Sequence, residues 1–477
     1  MEAKLCDDGF CTHYLIINAN EASFFDILKL LFSGNLKKRK FIDCSFEREE
    51  SFFYRLLIVI STLLQKFLLM MWMPMAMMGR TIENLLNFLR LNGGFRGLLR
   101  NIIRGGTVKV VIPDRKAATY LSFIGFTDTR MELDSNIERG NPMYFPALSI
   151  MACKAAYNNA AYNQALIEGQ WKMEFLGFKN YWNDFLRRPE TQVVMFRDKS
   201  VDHDTIVVCF RGTQPFNTED WCSDVDLSWF EFPHIGKIHS GFSKALGMQS
   251  SAGWAKQVVS DSTHGERGAP LAYYDIRDTL KVLLEQSPEA KFIVTGHSLG
   301  GALAALFPAI LFYHEEQLLL ERMEGVYTFG QPRVGDDAFG DYMGKNLRKH
   351  NINFFRYVYC NDMVPRVPFD GVFKHFGTCV YYNSKYQPSI VDEEPYKNYF
   401  SAGGSIAMRI NAVYEVIRSF LMSNEYGSDY REGWVLFGMR IIGLLIPGIP
   451  AHCAQDYVNS TRLGSLHRLL SHHFHHK

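Results

Sequence analysis

The pentapeptide Gly296-His297-Ser298-Leu299-Gly300 sets a serine between two glycines in the G-x-S-x-G pattern. A serine hydroxyl is a weak nucleophile near neutral pH. It attacks a carbonyl when a histidine takes its proton and a carboxylate orients that histidine. The flanks make the pattern informative: KFIVT (291–295) reads as a strand and GALAALFPAIL (301–311) as a helix. Glycines permit the very tight turn between two such elements and leave the serine at the helix N-terminus. Chain order then directs the search for acid and base downstream. Asp362 stands just past the strand-like NFFRYVY (353–359), whereas Asp336, Asp337 and Asp341 fall at a loop and helix start, where acids are ordinary caps. Two histidines compete for the base. His375 heads the strand-like HFGTCVYYN, where a structural role is expected; His452 lies in the loop-like PGIPAHCAQDYVN, after Pro447 and Pro450 have broken an apolar helix. The loop position favours His452 and leaves His375 as the alternative.

Such a constellation needs a sheet to hold it, and the sequence supplies one. From about residue 145, a helical stretch (148–165) is followed by strand-like TQVVMFRD (191–198) and TIVVCFRG (205–212) and a helix (274–286). Next come the strand and helix around Ser298, then strands at 324–330 and 353–359. Apolar strands alternating with helices predict a largely parallel sheet covered on both faces. Composition agrees with a large folded chain: 477 residues, 47% hydrophobic, 21% charged, with 51 Lys and Arg against 50 Asp and Glu. That balance excludes a disordered chain and a generally basic nucleic-acid binder, so no nucleic-acid partner is expected. The 9 cysteines are scattered and form no CxxC pair, the pattern of a reduced, zinc-free chain. The first twenty residues have no basic start, apolar core or cleavage site, which places the chain on the cytosolic side. The tail HHFHHK (472–477) reads as a flexible end.

The front of the chain is different in character. FFYRLLIVISTLLQKFLLMMWMPMAMM (52–78) carries only Arg55 and Lys66 as charges, with Pro74 near its end. These cut the run into pieces shorter than the ~20 residues of a simple membrane span, which predicts a surface-embedded or hairpin anchor. RTIENLLNFLRLNGGFRGLLRNIIR (80–104) alternates apolar residues with Arg80, Arg90, Arg96, Arg100 and Arg104, a basic amphipathic pattern suited to an anionic lipid surface. Lys37 to Lys40 add a short basic run. We therefore divide the chain into an N-terminal region, 1–115, with a lipid-surface anchor at 52–104, and a catalytic domain, 116–477, with an insertion at about 385–450.

VVCFRGT (207–213), IHSGF (238–242), VTGHSLGGALA (294–304), YTFGQPRVGD (327–336) and DMVPRVP (362–368) occur in the order and spacing of the class 3, fungal-type lipases, which the chain resembles over about residues 145–465. With its greasy front, it is similar to the plant oil-body-associated triacylglycerol lipases of that family. The resemblance implies an α/β-hydrolase fold with Ser298 as nucleophile, Asp362 as acid and His452 as base, the last followed by an aromatic that Tyr457 matches. It implies an oxyanion hole from Thr213, by backbone N–H and hydroxyl, and from the N–H of Leu299. It implies a lid within 214–226, with Phe216, Trp221 and Val225 as its apolar residues. Acylglycerols are the implied substrates and a lipid droplet or endoplasmic reticulum surface, on its cytosolic face, the implied site of action, with no metal or organic cofactor required. A phospholipase A1 or galactolipase of the same family, or an inactive lipid-surface binding protein, are the alternatives. The chain departs from the fungal pattern in the long stretch between Asp362 and His452, which contains WVLFGMRIIGLLIPGIP (434–450), a second lipid-facing element by composition.

Overall fold

The computed structural model describes residues 10–37, 39–47, 49–103, 110–200, 203–259, 270–399, 402–426, 430 and 432–464. Cys6, Lys38, Arg104, His467 and the histidine-rich tail lie outside the described residues. In chain order the strands are β1 (His13–Ile17), β2 (Ile42–Cys44), β3 (Glu174–Asn183), β4 (Arg188–Ser200), β5 (His203–Phe210) and β6 (Trp229–Phe232). They continue with β7 (Gly236–His239), β8 (Lys291–His297), β9 (Met323–Phe329), β10 (Asn353–Tyr359), β11 (Thr378–Tyr382) and β12 (Pro388–Val391). Eight form one sheet in the order β12-β11-β10-β9-β8-β5-β4-β3. The five central strands β5, β8, β9, β10 and β11 run parallel, and antiparallel strands finish both edges.

The central strands are buried almost throughout, as their unbroken runs of Val, Ile and Phe require of a sheet with both faces covered. One face packs against the helix Leu299–His314, hereafter the elbow helix, and Ala272–Gln286. The other packs against Tyr144–Ala155 and Ala454–Leu463. This is the α/β-hydrolase type of architecture. The single helix expected over 148–165 is instead Tyr144–Ala155 and a short helix Ala160–Gln164, restarted where the Asn159 side chain accepts a bond from the Tyr162 N–H at 2.8 Å.

The N-terminal region is tied into this body. β1 pairs with β6, making a second sheet in the order β2-β1-β6-β7. Residues 52–91 form one uninterrupted helix of 40 residues, about 60 Å long, rather than short pieces or a hairpin. The two charges expected to interrupt it are satisfied without leaving it: Arg55 Nη1 donates to the carbonyls of Leu30 and Leu31 at 3.1 Å each, and Lys66 Nζ donates to Ala19 O at 2.9 Å. Ser51 caps its start, and Pro74 is accommodated inside. The basic helix Gly94–Ile103 follows. Only a third of the most apolar window of the long helix is buried. Cys11 is disulfide-bonded, which corrects the expectation of a wholly reduced chain; Cys44, Cys153, Cys209, Cys222, Cys360, Cys379 and Cys453 are free.

Candidate active site

Ser298 sits at the carboxyl end of β8, in the middle of the sheet, with φ +60° and ψ −132°. This conformation is strained for a side-chain-bearing residue, and it persists because the neighbours hold it. The Ser298 N–H donates to Phe329 O on β9 at 2.9 Å, and Gly301 N–H donates to Ser298 O at 2.8 Å. The tightness of the turn explains its glycines: a Cβ on Gly296 would stand 2.0 Å from the Gly300 carbonyl oxygen.

Asp362 lies in a turn three residues beyond β10, its backbone N–H donating to Tyr359 O, and its carboxylate is fully buried. Three donors converge on that carboxylate. Val364 N–H reaches Oδ1 at 2.9 Å, the Tyr457 hydroxyl reaches Oδ2 at 2.5 Å, and His452 Nδ1 contacts both oxygens at 2.9 and 2.8 Å. His452 ends a short 3-10 turn, Pro450–His452, and its Nε2 lies 2.8 Å from Ser298 Oγ. With Nδ1–H donated to Asp362, Nε2 is left free to accept the serine proton, the arrangement that turns a hydroxyl into a nucleophile. His375 is elsewhere. It donates from Nε2 to Pro365 O at 2.7 Å within a buried ion cluster of Glu394, Arg356 and Arg333, and burial followed by Arg356 lowers its pKa well below the usual histidine value.

Two residues beside the triplet carried no signal in the sequence beyond the motif itself. His297 stacks on His452 with ring centroids 4.6 Å apart, donates from Nε2 to the His452 carbonyl at 2.9 Å, and receives the Tyr157 hydroxyl on Nδ1 at 2.8 Å. Burial, and then the nearby His452, keep His297 neutral, with a pKa well below its ordinary value. The base is thus gripped at its ring by Asp362 and at its backbone by His297.

Thr213 follows β5 in a loop packed on the elbow and is buried, and Leu299 opens the elbow helix, where the first N–H groups have no intrahelical acceptor. The Thr213 hydroxyl donates to Asp224 Oδ2 at 2.9 Å. Asp224 is a fully enclosed carboxyl that burial pushes up to about 8, so at neutral pH it carries a proton. Asp224 belongs to a short helix, Thr218–Val225, which is the segment expected to form the lid. Phe216, Trp221 and Val225 are each half-buried there. The segment is clamped from outside by the long N-terminal helix. Ser61 Oγ donates to Val225 O at 2.7 Å, Gln65 Nε2 reaches Asp226 Oδ1 at 3.4 Å, and the Cys222 thiol points to Gln65 O at 3.7 Å. Gly79 lets Phe216 approach so closely that a Cβ would stand 2.5 Å from its side chain, and Phe216 meets Phe123 edge-on at 5.1 Å. Ser298 is 2% exposed. A cavity of about 350 Å³ lies between the long helix and segment 214–226 and is bounded by Phe216, Phe123 and Tyr157.

Residues 207–372 match the family described as Lipase (class 3). A protein of Arabidopsis thaliana named triacylglycerol lipase OBL1 is 38% identical over 96% of this chain and 96% of its own, and one of the same name from Nicotiana tabacum is 40% identical over 86% and 84%. A lipase of Rhizomucor miehei is 31% identical over 34% of this chain and 38% of its own. Near-complete coverage at such identity leaves one assignment for this fold and site: the chain belongs to the class 3 lipase family.

Proposed function

We propose that the protein is a triacylglycerol lipase acting at the surface of lipid droplets, on the cytosolic side, through an acyl-enzyme on Ser298. His452 takes the Oγ proton as Ser298 attacks the ester carbonyl, and Asp362 steadies the imidazolium that results. The oxyanion is received by the N–H groups of Thr213 and Leu299 and by the Thr213 hydroxyl, which turns its proton from Asp224 to the oxyanion and accepts in exchange from the protonated Asp224 carboxyl. Collapse of the tetrahedral intermediate breaks the bond to the glycerol oxygen, which leaves with the proton from His452. Water, deprotonated by the same imidazole, then attacks the acyl-enzyme, releases the fatty acid and restores Ser298. Phe216, Trp221 and Val225 belong to a lid that must swing away to admit the acyl chain. The anchor at 52–104 keeps the enzyme on its insoluble substrate.

The observation that carries this reading is the relay Ser298, His452 and Asp362 together with a cover clamped by an apolar helix. The relatives named triacylglycerol lipase support the choice of ester. Fatty-acid release from a triolein emulsion tests it: wild type is expected to be active, and Ser298→Ala and His452→Ala to lose on the order of 10⁴-fold or more. Faster hydrolysis of phosphatidylcholine than of triolein would overturn the triacylglycerol assignment.

A further inference from the structure

Two helices of the insertion, Ala402–Tyr426 and Trp434–Gly443, have their polarity reversed. A helix on the surface of a water-soluble body turns its apolar stripe inward and its charges out. Here the inward face of the first helix carries Glu415 and Arg418, and that of the second carries Arg440, all buried. The outward stripe of the first helix is Ile406, Ile410, Val413, Ile417, Phe420 and Leu421, each more than half exposed and spaced at helical intervals. On the second helix and the turn after it, Trp434 is 71% exposed and Leu445 is 81% exposed, with Ile441, Ile442, Leu444 and Ile446 also exposed. Arg409 is the only charged residue exposed on these helices among their described side chains.

The inward charges are paired with one another, so the reversal is built in. Arg440 bonds Glu415 at 3.1 Å, Glu432 at 2.5 Å and Asp456 at 3.0 Å; Arg418 bonds the Tyr359 hydroxyl at 2.5 Å and Asp456 at 3.4 Å. Asp456 is four residues past His452, and Tyr359 is three before Asp362. The same ion cluster therefore holds the outer helices and both arms of the site. The second helix also abuts the short helix Phe123–Thr127, which in turn meets the long N-terminal helix and, through Phe123, the cover.

We propose that the outward face of these two helices is a second lipid-docking surface, distinct from the long N-terminal helix, which seats on a phospholipid-coated oil surface and sets the mouth of the site against it. An apolar face of this extent marks an interaction site. A lipid surface fits it better than a folded partner does, because protein interfaces carry a polar rim, whereas this face offers apolar side chains, a tryptophan at one end and a single basic residue matched to anionic headgroups. The proposal deepens the lipid-surface reading given above and relies on it for the activity arm of its test only.

The test uses the full chain with an environment-sensitive fluorophore on Ile417→Cys, Leu445→Cys or, as control, Val282→Cys, an exposed position on Ala272–Gln286. Triolein droplets coated with phosphatidylcholine and phosphatidylserine are then added. Probes at 417 and 445 are expected to shift to the blue and to be quenched by a lipid-borne spin label, and the probe at 282 to do neither. Probes at 417 and 445 that stay as wet as the one at 282 while the protein floats with the droplets would overturn the proposal. So would a blue shift without lipid accompanied by dimers in sedimentation, which would assign the face to a second copy of the chain. In parallel, Ile410→Ser/Ile417→Ser/Leu445→Ser is expected to lower triolein emulsion turnover at least fivefold and leave hydrolysis of a soluble butyrate ester unchanged. Equal loss on both substrates overturns the docking role. Dead wild-type enzyme with intact probe shifts would instead fault the lipase reading and spare the docking surface.

Discussion

The elbow helix, Leu299–His314, and the long helix, Phe52–Leu91, are both rich in Leu, Phe and Ile, yet their surroundings are opposite. All but one of the elbow helix's sixteen residues are buried, Tyr313 being the exception, because it lies against the middle of the sheet whose β8 it continues. The long helix keeps Phe53, Ile60, Phe67, Met70, Met73 and Met77 exposed and buries only the strip that meets the N-terminal sheet, the segment 214–226 and, through Leu86 and Asn87, the residues around Leu121. Apolar composition alone therefore does not say where a helix belongs. What distinguishes the two is the partner: the first has a sheet, and the second has a protein partner on one side only.

Substitutions sharpen that contrast. Leu303→Asp buries an unpaired charge in the packed core and is expected to destabilise by more than about 5 kcal/mol, seen as loss of soluble folded protein. Leu63→Asp, on the exposed side of the long helix, is expected to leave the melting temperature nearly unchanged, within about 0.5 kcal/mol, and to weaken droplet flotation. A large destabilisation from Leu63→Asp would break the comparison. Next in size is Arg440→Met, which strands Glu415, Glu432 and Asp456 without their shared cation and is expected to cost about 3–5 kcal/mol in urea unfolding. Thr213→Val removes the hydroxyl beside the elbow and is expected to lower kcat on the order of 10²-fold with little change in KM.

A pH-dependent effect concerns Asp224. Its carboxyl titrates at about 8 when folded and near 3.8 otherwise, so the unfolded chain loses the proton first. This group's contribution to stability is greatest below about pH 4, declines as pH rises and levels off above about pH 8. Asp224→Asn is expected to flatten that slope, by about 1 kcal/mol between pH 7 and 8, measured as urea unfolding at the two pH values. An unchanged slope would show that the cover does not hold a protonated acid.

The strand, elbow and helix around Ser298 were legible in the sequence because glycine punctuation and an abrupt change of periodicity coincide there, and Asp362 was legible because it follows a clear strand. His452 was legible only through the prolines that break the helix before it. Asp224 was not, since it is one acid among Glu219, Asp220, Asp224 and Asp226, and nothing local says which one meets Thr213. The continuity of the long helix was hidden because Arg55 and Lys66 look like interruptions until carbonyls far away in the sequence are seen to receive them. The outer helices were hidden for a related reason. A helical stripe announces that two faces differ, and only the buried partners of Arg440 and Arg418 show which one faces inward.

Covalent labelling tests whether Ser298 is the nucleophile and His452 its base. The full-length protein is treated with a fluorophosphonate in the presence of triolein emulsion, and the adduct is mapped by peptide mass. One adduct on Ser298 is expected, absent in Ser298→Ala, strongly slowed in His452→Ala and undiminished in His375→Ala. An adduct on a different serine, or labelling of Ser298 that proceeds at the wild-type rate in His452→Ala, would contradict those two roles.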